Sequence, residues 1–343
     1  MVLRPAMTAL TDRLGRPLRN LRLSVTDRCN LRCQYCMPEQ EYRWLKKTDI
    51  LTFEELLRVV DCFTTLGVDK VRLTGGEPLL RRDLPQLVAM LAAHPRLREV
   101  AMTTNGVLLR EHARALKAAG LSRVTISLDS LDPATFQLLT RRDDLDQVLD
   151  GLAAAREAGF TNTRLDTVAI AGVNDGELVD LVEFARTHDA EVRFIEYMDV
   201  GGATRWRMDR VIPRARILER LTRHFGEIRP LPRTDSAPAE RFAMRDGTTF
   251  GIISSVTQPF CSSCDRARLT ADGMWFTCLY AEHGTDLRRL LRGGASDQRL
   301  RDKLVEVWAA RRDRGAELRA GMSERTPLPA HDDPHLQMHT RGG

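Results

Sequence analysis

Residues 21–36 read LRLSVTDRCNLRCQYC, a strand-like apolar stretch followed at once by Cys29, Cys33 and Cys36. The x3 and x2 spacings place three thiolates, the first trio, on one short loop. Three thiolates can hold three irons of a [4Fe–4S] cube and leave the fourth iron without a protein ligand, whereas a cluster used only for electron transfer normally has four cysteine ligands. The stretch therefore predicts an iron–sulfur site with an open iron that takes part in chemistry.

Two other uses of this loop fit less well. Zinc needs a fourth ligand, often a nearby histidine, and the nearest histidine to residues 29–36 is His94. A redox pair needs only Cys-x2-Cys, which would leave one cysteine without a role. The cluster is the interpretation that uses every cysteine of the loop.

A second trio, Cys261, Cys264 and Cys278, lies far downstream with x2 and x13 spacings. Zinc stays an alternative here because His283 follows Cys278 by only five positions. Closely spaced cysteines in a chain without a secretory signal point to metal or redox chemistry and not to disulfides. The seventh cysteine, Cys62, falls in an apolar helical pattern and is expected to be a buried structural thiol.

The overall composition predicts a cytoplasmic protein. Of the 343 residues, 43% are hydrophobic and 29% are charged, and no apolar run approaches the roughly 20 residues that span a bilayer. The N-terminal stretch lacks the apolar block of a secretory signal. The net charge of +5 favours an anionic, phosphate-bearing ligand. Since no basic stripe is interleaved with aromatic residues, we expect no nucleic-acid partner.

Strand-like and helix-like segments alternate over residues 12–232. The predicted strands are 21–27, 71–78, 99–106, 123–129, 163–170 and 191–199. The predicted helices are 53–67, 84–93, 108–119, 133–140, 145–158, 176–188 and 213–224. This pattern implies an α/β fold of parallel strands with right-handed crossovers. It fits either an open doubly wound sheet or an incomplete (β/α)6 TIM-like barrel.

The residues most suited to a binding site follow these strands. The strand ends read TDRC, TGGEP, TTNG, SLD, the region around Asp166, and EYMD. Each could alone be turn chemistry, because Gly, Pro, Asn and Asp are turn formers. In both candidate folds, however, ligands bind at the carboxyl ends of the strands. The common location therefore predicts a shared pocket.

Residues 233–343 have a different texture and are expected to form a C-terminal region that carries the second trio. The stretch 231–247 is rich in Pro, Ser and charge and is predicted to be a linker or irregular crossing. A β segment at 248–256 precedes the trio, and 267–278 predicts a hairpin that turns at Asp272-Gly273. Two helical patterns follow, and the last dozen residues are predicted to be a flexible tail.

The cysteine motifs resemble those of a known family. Cys29-x3-Cys33-x2-Cys36 with Tyr35, together with TGGEP at 74–78, resembles the signature of the radical S-adenosylmethionine enzymes. FCSSCDRARLTADGMWFTCL at 260–279 resembles the second-cluster segment of one group of them, the GTP 3′,8-cyclases of molybdenum cofactor biosynthesis. The resemblance runs over nearly the whole chain and implies the partial-barrel fold with a C-terminal extension.

The resemblance implies a role for each motif residue. Cys29, Cys33 and Cys36 would bind one [4Fe–4S] cluster, and Cys261, Cys264 and Cys278 would bind a second. S-adenosylmethionine would contact Tyr35, Gly76, Ser127 and Met198. GTP would contact Arg22, Arg72, Thr103, Arg164, Arg266 and Arg268, of which Arg22, Arg266 and Arg268 would be catalytic. The open iron of the second cluster would take the guanine base.

Three positions qualify the resemblance. Arg164 stands where the family usually carries Lys, which keeps the charge but not the geometry. Asp166 stands where Asn was expected. The terminal Gly342-Gly343 matches a double-glycine tail that reaches into the barrel in this family, although two terminal glycines are otherwise expected to fray.

The implied activity is conversion of GTP to 3′,8-cyclo-7,8-dihydro-GTP. A 5′-deoxyadenosyl radical would abstract the 3′ hydrogen of GTP, and C3′ would then attack guanine C8. The implied partners are an electron donor such as flavodoxin, a downstream pterin-forming synthase and a second copy of the chain. Two alternatives remain from the sequence: another radical S-adenosylmethionine enzyme with an auxiliary cluster acting on a different substrate, and a non-catalytic metal-binding protein.

Overall fold

The computed structural model describes residues 10–233, 235–328 and 333–342. Six parallel strands occupy the middle of its sheet: β1 (Asn20–Ser24), β2 (Lys70–Thr74), β3 (Glu99–Thr104), β4 (Arg123–Ser127), β5 (Thr163–Ala169) and β6 (Ala190–Glu196). Seven helices follow these strands: α1 (Phe53–Thr65), α2 (Leu84–Ala92), α3 (Leu109–Ala118), α4 (Pro133–Thr140), α5 (Leu145–Glu157), α6 (Leu178–Thr187) and α7 (Arg214–Phe225). The sequence predicted all of them, with bounds that differ mainly where strands give way to loops.

Strands from the second half of the chain extend the sheet on both sides. Beyond β6 and beyond β1 lie two groups of three: β7 (Ile228–Pro230), β8 (Glu240–Met244) and β9 (Thr249–Ile253), and β10 (Arg266–Leu269), β11 (Met274–Phe276) and β12 (Thr285–Asp286). β9 is parallel to β6, and β10 is parallel to β1. The remaining helices are α8 (Leu287–Arg292), α9 (Asp297–Ala310), α10 (Gly315–Ala320) and α11 (Met338–Arg341).

The strand order decides between the two expected architectures. β1 to β6 lie side by side in the order of the sequence. A doubly wound sheet reverses its order partway, so that alternative is wrong. In the described residues β7 and β12 are the two free edges of the sheet, and the fold is therefore the expected incomplete (β/α)6 barrel with a C-terminal extension.

The two faces of the central strands differ in polarity. Leu21, Leu23 and Leu73 are fully buried in the core between sheet and helices. Arg22 and Arg72 alternate with them and point to the opposite face, where they line a cavity. Parallel strands buried on both faces read as continuous apolar runs. The alternation here reflects a polar interior on the concave side.

The expectation of an irregular crossing at 231–247 was wrong in part, because β8 lies within it. Phe242 of β8 stacks on Phe250 of β9, with ring centroids 5.3 Å apart. This apolar pair stabilises the pairing of β8 with β9, and the polar residues around Phe242 in the sequence hid the strand. The expected domain boundary between residues 232 and 233 stays a prediction. No described helix is long and apolar enough to cross a membrane.

The expectation of a flexible C-terminal tail was wrong for residues 333–342. Arg341 is almost fully buried and donates hydrogen bonds to the carbonyl oxygens of His335, Leu279 and Ala281 (2.6, 2.5 and 2.6 Å). Its guanidinium also stacks on Phe276, 4.0 Å from the ring centroid. One arginine therefore fixes the tail to the loop that follows β11.

Candidate active site with two cysteine trios

The concave face of the sheet encloses a cavity of about 990 Å³. All of the predicted site residues line it: Cys29, Cys33, Cys36, Cys261, Cys264, Cys278, Tyr35, Gly76, Ser127, Met198, Arg22, Arg72, Thr103, Arg164, Arg266 and Arg268. The fold thus brings every one of them together. What each residue would bind there remains the prediction made from the sequence.

The loop of the first trio leaves the carboxyl end of β1 and is held there by two glycines. A Cβ at Gly75 would lie 2.1 Å from the carbonyl oxygen of Thr26, and one at Gly76 would lie 2.2 Å from that of Arg28. The amide of Gly76 donates to the Thr26 carbonyl (3.0 Å). Since only glycine permits so close an approach, the TGGEP motif sets the position of the cysteine loop.

Glu77 connects that loop to the end of β3. Its carboxylate accepts hydrogen bonds from the Thr104 hydroxyl (2.8 Å) and the Asn105 amide (2.7 Å). The side chain of Asn105 donates to Asn30 (2.8 Å) and lies 3.9 Å from the Cys29 sulfur. Burial raises the pKa of Glu77 to about 7. TGGEP and TTNG therefore act as one hydrogen-bonded support for the first trio.

The residues predicted to contact S-adenosylmethionine lie beside the first trio. The Tyr35 hydroxyl donates to Asp129 (2.6 Å), whose other oxygen accepts from the Val168 amide (2.8 Å). Burial raises the pKa of Asp129 to about 6. Tyr35 and Met198 pack against one apolar cluster, and Ser127 ends β4. These contacts hold the tyrosine in place at the cavity wall.

Three arginines lie side by side across neighbouring strands. Arg268 of β10 is in register with Arg22 of β1, which is in register with Arg72 of β2. Burial lowers the pKa of Arg72 and Arg268 to about 9 and that of Arg22 well below its ordinary value. Repulsion from neighbouring guanidinium groups adds to the effect, with Arg266 the largest such contribution at Arg268. A row of like charges on a cavity wall favours an anionic ligand, and guanidinium groups suit bidentate binding of phosphate.

The fifth strand adds a cation and a carboxylate. Arg72 donates to the hydroxyls of Thr103 and Thr125, each 3.1 Å away, and Thr125 is in register with Arg164. Arg164 and Asp166 both face the cavity. The Asp166 Oδ1 atom is buried and has no hydrogen-bond partner in the part of the chain that is described. Burial raises the pKa of Asp166, and four surrounding arginines oppose that rise.

The second trio lies at the opposite ends of the strands, the amino-terminal ends, whereas the first trio follows the carboxyl end of β1. Cys264 precedes β10, and because β10 is parallel to β1, it lies at the amino-terminal edge of the strands. At about 3.3 Å per residue, the five residues of β1 separate the two edges by roughly 16 Å. Burial opposes ionisation of Cys264, but Arg266 and Arg311 lower its pKa to about 6.

The cysteines of both trios suit iron–sulfur ligation. All are free thiols, and each trio has a sulfur that accepts a hydrogen bond: Cys29 from the Asn105 side-chain amide (3.9 Å) and Cys278 from the Tyr280 backbone amide (3.4 Å). Such hydrogen bonds favour thiolates and tune cluster potentials. Among the described residues, no three Cys, His, Asp or Glu side chains are grouped to hold a single metal ion.

The C-terminal tail enters the cavity next to the arginine row. The Gly342 carbonyl accepts hydrogen bonds from Arg268 (2.7 Å) and Arg22 (3.2 Å). Gly342 has a φ of +69°, and a Cβ there would lie 2.2 Å from the Thr74 side chain. Glycine is therefore required at this position. Gly343, the second glycine of the predicted motif, lies outside the described residues.

Known proteins resemble this chain over almost its full length. The sequence matches the Radical SAM superfamily over residues 23–185 and Molybdenum Cofactor Synthesis C over residues 190–317. It is 53% identical to GTP 3′,8-cyclase 1 of Mycobacterium tuberculosis, covering 97% of this chain and 95% of the relative. It is 51% identical to the GTP 3′,8-cyclase of Acidothermus cellulolyticus, covering 91% and 89%.

This chain belongs to the GTP 3′,8-cyclase family. As a member, it is a radical S-adenosylmethionine enzyme with two [4Fe–4S] clusters. Among solved structures, Streptococcus suis SuiB bound to S-adenosylmethionine superposes with a TM-score of 0.61 at 15% identity, covering 89% of this chain and 68% of SuiB. At that identity the likeness shows the fold alone.

Sequence reasoning missed several residues of this GTP 3′,8-cyclase cavity. Lys70, Arg123 and Arg193 also line it and add positive charge beside the predicted arginines. Lys70 precedes Arg72 by two positions, and Arg193 is in register with Asp166. The two-residue period of a strand, extended from Arg72 and from Ser127, would have found Lys70 and Arg123, whereas Arg193 is found only from the pairing of β5 with β6.

Proposed function

We propose that this chain converts GTP to 3′,8-cyclo-7,8-dihydro-GTP, the first step of molybdenum cofactor biosynthesis. The observation that carries the proposal is the placement of two cysteine trios at opposite ends of one cavity, with a row of cavity-lining arginines between them. GTP suits this arrangement because its base is a metal ligand and its triphosphate pairs with guanidinium groups. The names of the relatives support the same substrate.

The first trio is proposed to hold the cluster that binds S-adenosylmethionine, with contacts from Tyr35, Gly76, Ser127 and Met198. When bound, this pair supplies the 5′-deoxyadenosyl radical that removes the 3′ hydrogen of GTP before C3′ bonds to guanine C8. The chain's contribution is position, because a carbon radical attacks whichever hydrogen lies nearest. The hydrogen bond from Tyr35 to Asp129 (2.6 Å) supports such a fixed wall.

The second trio is proposed to hold the cluster whose open iron takes the guanine. The triphosphate would then meet Arg22, Arg266 and Arg268, and Arg72, Thr103 and Arg164 would complete the contacts. The lowered pKa values of Arg72 and Arg268 support this role, because an anion would relieve the repulsion within the row. Two anchors at opposite ends of one nucleotide would leave its ribose little freedom.

The proposal extends to partners. The first cluster has to be reduced from outside the chain, so an electron donor such as flavodoxin is part of the proposal. A pterin-forming synthase is proposed as the next enzyme, as the family resemblance implies. We also propose a homodimer, as the family resemblance implies.

The test is formation of 5′-deoxyadenosine by anaerobically reconstituted protein with S-adenosylmethionine and a reductant, with and without GTP. We expect strong stimulation by GTP together with appearance of the cyclised nucleotide. The Cys264→Ser variant should lose the cyclised product, whereas Cys62→Ser is a matched control because Cys62 lies outside both trios and away from the cavity.

Each outcome of this assay has a definite meaning. If cleavage of S-adenosylmethionine does not depend on GTP, the assignment as a radical enzyme stands but GTP is not the substrate. An unchanged cyclisation rate in Cys264→Ser would refute the role of the second trio. No cleavage by protein that demonstrably holds its clusters would favour the non-catalytic alternative.

A further inference from the structure

A turn near the N-terminus places a buried ion pair, Asp12 with Arg16, against the second trio. The Asp12 carboxylate accepts hydrogen bonds from the amides of Leu14 and Arg16, each 2.9 Å, and from the Arg16 Nε atom at 2.6 Å. Gly15 closes the turn with a φ of +74°. The side chains of Asp12 and Arg16 are 0% and 1% exposed. An ion pair so fully removed from water is costly unless it is satisfied by further partners.

The partners of this pair are the backbone carbonyls of the second trio. Arg16 Nη1 donates to the carbonyl of Cys261 (2.9 Å) and to that of Asp313 (2.8 Å). Arg311 Nη1 donates to the carbonyl of Cys264 (2.9 Å) and lies 3.6 Å from the Asp12 carboxylate. One buried aspartate thus lies between two arginines, each of which holds one cysteine.

The third cysteine is reached through Asp313. Its carboxylate accepts from the Thr277 hydroxyl (2.8 Å), immediately before Cys278, and pairs with Arg311 Nε (3.2 Å). Arg311 is also fixed by stacking on Trp308, 4.4 Å from the ring centroid. The same four charged residues therefore connect to every member of the second trio.

We propose that Asp12, Arg16, Arg311 and Asp313, the second-trio brace, position the cysteines of the second cluster. None of the four belongs to a cysteine motif, and none lines the cavity. They act through backbone carbonyls and a neighbouring hydroxyl, as positioning residues. The inference rests on the proposed assignment of the second cluster to Cys261, Cys264 and Cys278.

Two observations distinguish this brace from ordinary packing. Its contacts converge on a single ligand set from chain segments 245 positions apart. In addition, Arg16 Nη2 is buried and has no hydrogen-bond partner among the described residues, so this guanidinium retains a donor that those residues leave unused. Outer partners of metal ligands commonly change metal affinity by about 10- to 100-fold when they are removed.

The test isolates the second cluster by replacing Cys29, Cys33 and Cys36 with Ala in the full chain. In that background, Arg16→Lys and Asp12→Asn are compared for iron content and for the rate of iron loss to a chelator, EDTA, under anaerobic conditions. We expect loss about 10- to 100-fold faster than in the parent. Arg214→Lys is the matched control, because Arg214 forms a similar two-bonded pair with Glu240 (2.7 and 2.9 Å) that contacts no cysteine.

A second measurement separates positioning from unfolding. In the chain with both trios intact, Arg16→Lys should release iron from the second cluster and keep the first, which the EPR signals of the two reduced clusters distinguish. Equal loss of both clusters, or release at the parent rate, would overturn the inference. If Cys264→Ser itself retains the second cluster, the ligand assignment fails, and with it this part of the proposed function.

Discussion

The two cysteine trios share one cavity but differ in the charged residues around them. At the first trio, burial raises the pKa of Cys29 to about 11 and of Cys36 to about 12, and no arginine outweighs that effect. At the second trio, burial also raises the pKa of Cys261 and of Cys278, but Arg266 and Arg311 overcome burial at Cys264 and lower its pKa to about 6. The same residue type is therefore poised differently at the two edges of the sheet.

This difference indicates a division of labour between the trios. Glu77 and Asp129 stand near the first trio, so its surroundings repel a further anion. Arginines lie beside the second trio, and the arginine row crosses the strands between the levels of the two trios. An anionic substrate is therefore drawn to the second edge, and the chemistry that produces a radical is left to the first.

The largest effects are expected from substituting one cysteine in each trio and comparing the two variants. Cys33→Ala should reduce S-adenosylmethionine cleavage to background, because it removes one of only three ligands. Cys264→Ala should abolish cyclisation yet retain cleavage measured without GTP. Quantification of 5′-deoxyadenosine and of cyclised nucleotide in both variants checks this, and loss of cleavage in both would contradict a division of labour.

The next effect concerns the arginine row. Arg268→Ala should raise KM for GTP about 10- to 100-fold, because hydrogen bonds to charged groups contribute about 1.5–3 kcal/mol. Arg268→Lys should recover part of the loss, since it keeps the charge but not the planar fork. Arg245→Ala, at an exposed pair with Glu227, is the control in steady-state kinetics. A KM unchanged in Arg268→Ala would remove Arg268 from the nucleotide site.

A smaller and opposite effect is expected at Asp166. Asp166→Asn removes a negative charge from among four arginines and so raises the local positive potential. A unit charge roughly 15 Å away contributes about 1 kcal/mol at an effective dielectric constant of about 20, which is about fivefold in Kd. Calorimetric titration of GTP should therefore show tighter binding, with the exposed Asp150→Asn unchanged. Weaker binding in Asp166→Asn would indicate that this carboxylate accepts a hydrogen bond from the substrate.

The smallest effect concerns the tail that passes between the trios. His335 lies between the carboxylates of Asp272 (2.7 Å) and Asp333 (2.8 Å). Burial opposes its protonation, but both carboxylates raise its pKa above 6.5. Because folding raises the pKa of His335, its protonation stabilises the folded state. This stabilisation is fully present below pH 6.5 and is lost as the pH rises through the pKa of His335 in the folded state.

Urea unfolding at pH 5.5 and pH 8.5 tests this pair. The free energy of unfolding of the wild type should exceed that of His335→Gln by about 0.5–1 kcal/mol at pH 5.5, and by less at pH 8.5. An equal difference at both values would show that the histidine contributes packing and not charge.

Much of this comparison could be read from the sequence, because local patterns determine it. Alternation of apolar and polar residues, as in Leu21, Arg22 and Leu23, predicts the strands. The helical spacing of apolar residues and the glycines that follow predict the helices. The first trio and its supports lie within short motifs at strand ends. Their meeting at one edge follows from parallel topology alone.

The remainder depends on contacts between distant segments. The expectation that ligands bind at carboxyl ends did not foresee that Cys264 would lie at the amino-terminal edge, since this follows only from the parallel pairing of β10 with β1. The tail reads as flexible because Arg341, which fixes it, finds its carbonyl partners some 60 positions away. Asp12 and Arg16 carry no motif at all.

The distance between Arg16 and Cys261 also sets an order of events during synthesis. The ribosome adds about 5–20 residues per second, so roughly 12–50 s pass between the emergence of Arg16 and that of its partner 245 positions later. The first cysteine loop and β2 emerge well within that interval. A nascent chain therefore completes its first cysteine loop long before the carbonyl partners of Arg16 have been synthesised. A chain whose translation stops before residue 313 lacks one of those partners and leaves the second trio without its full support.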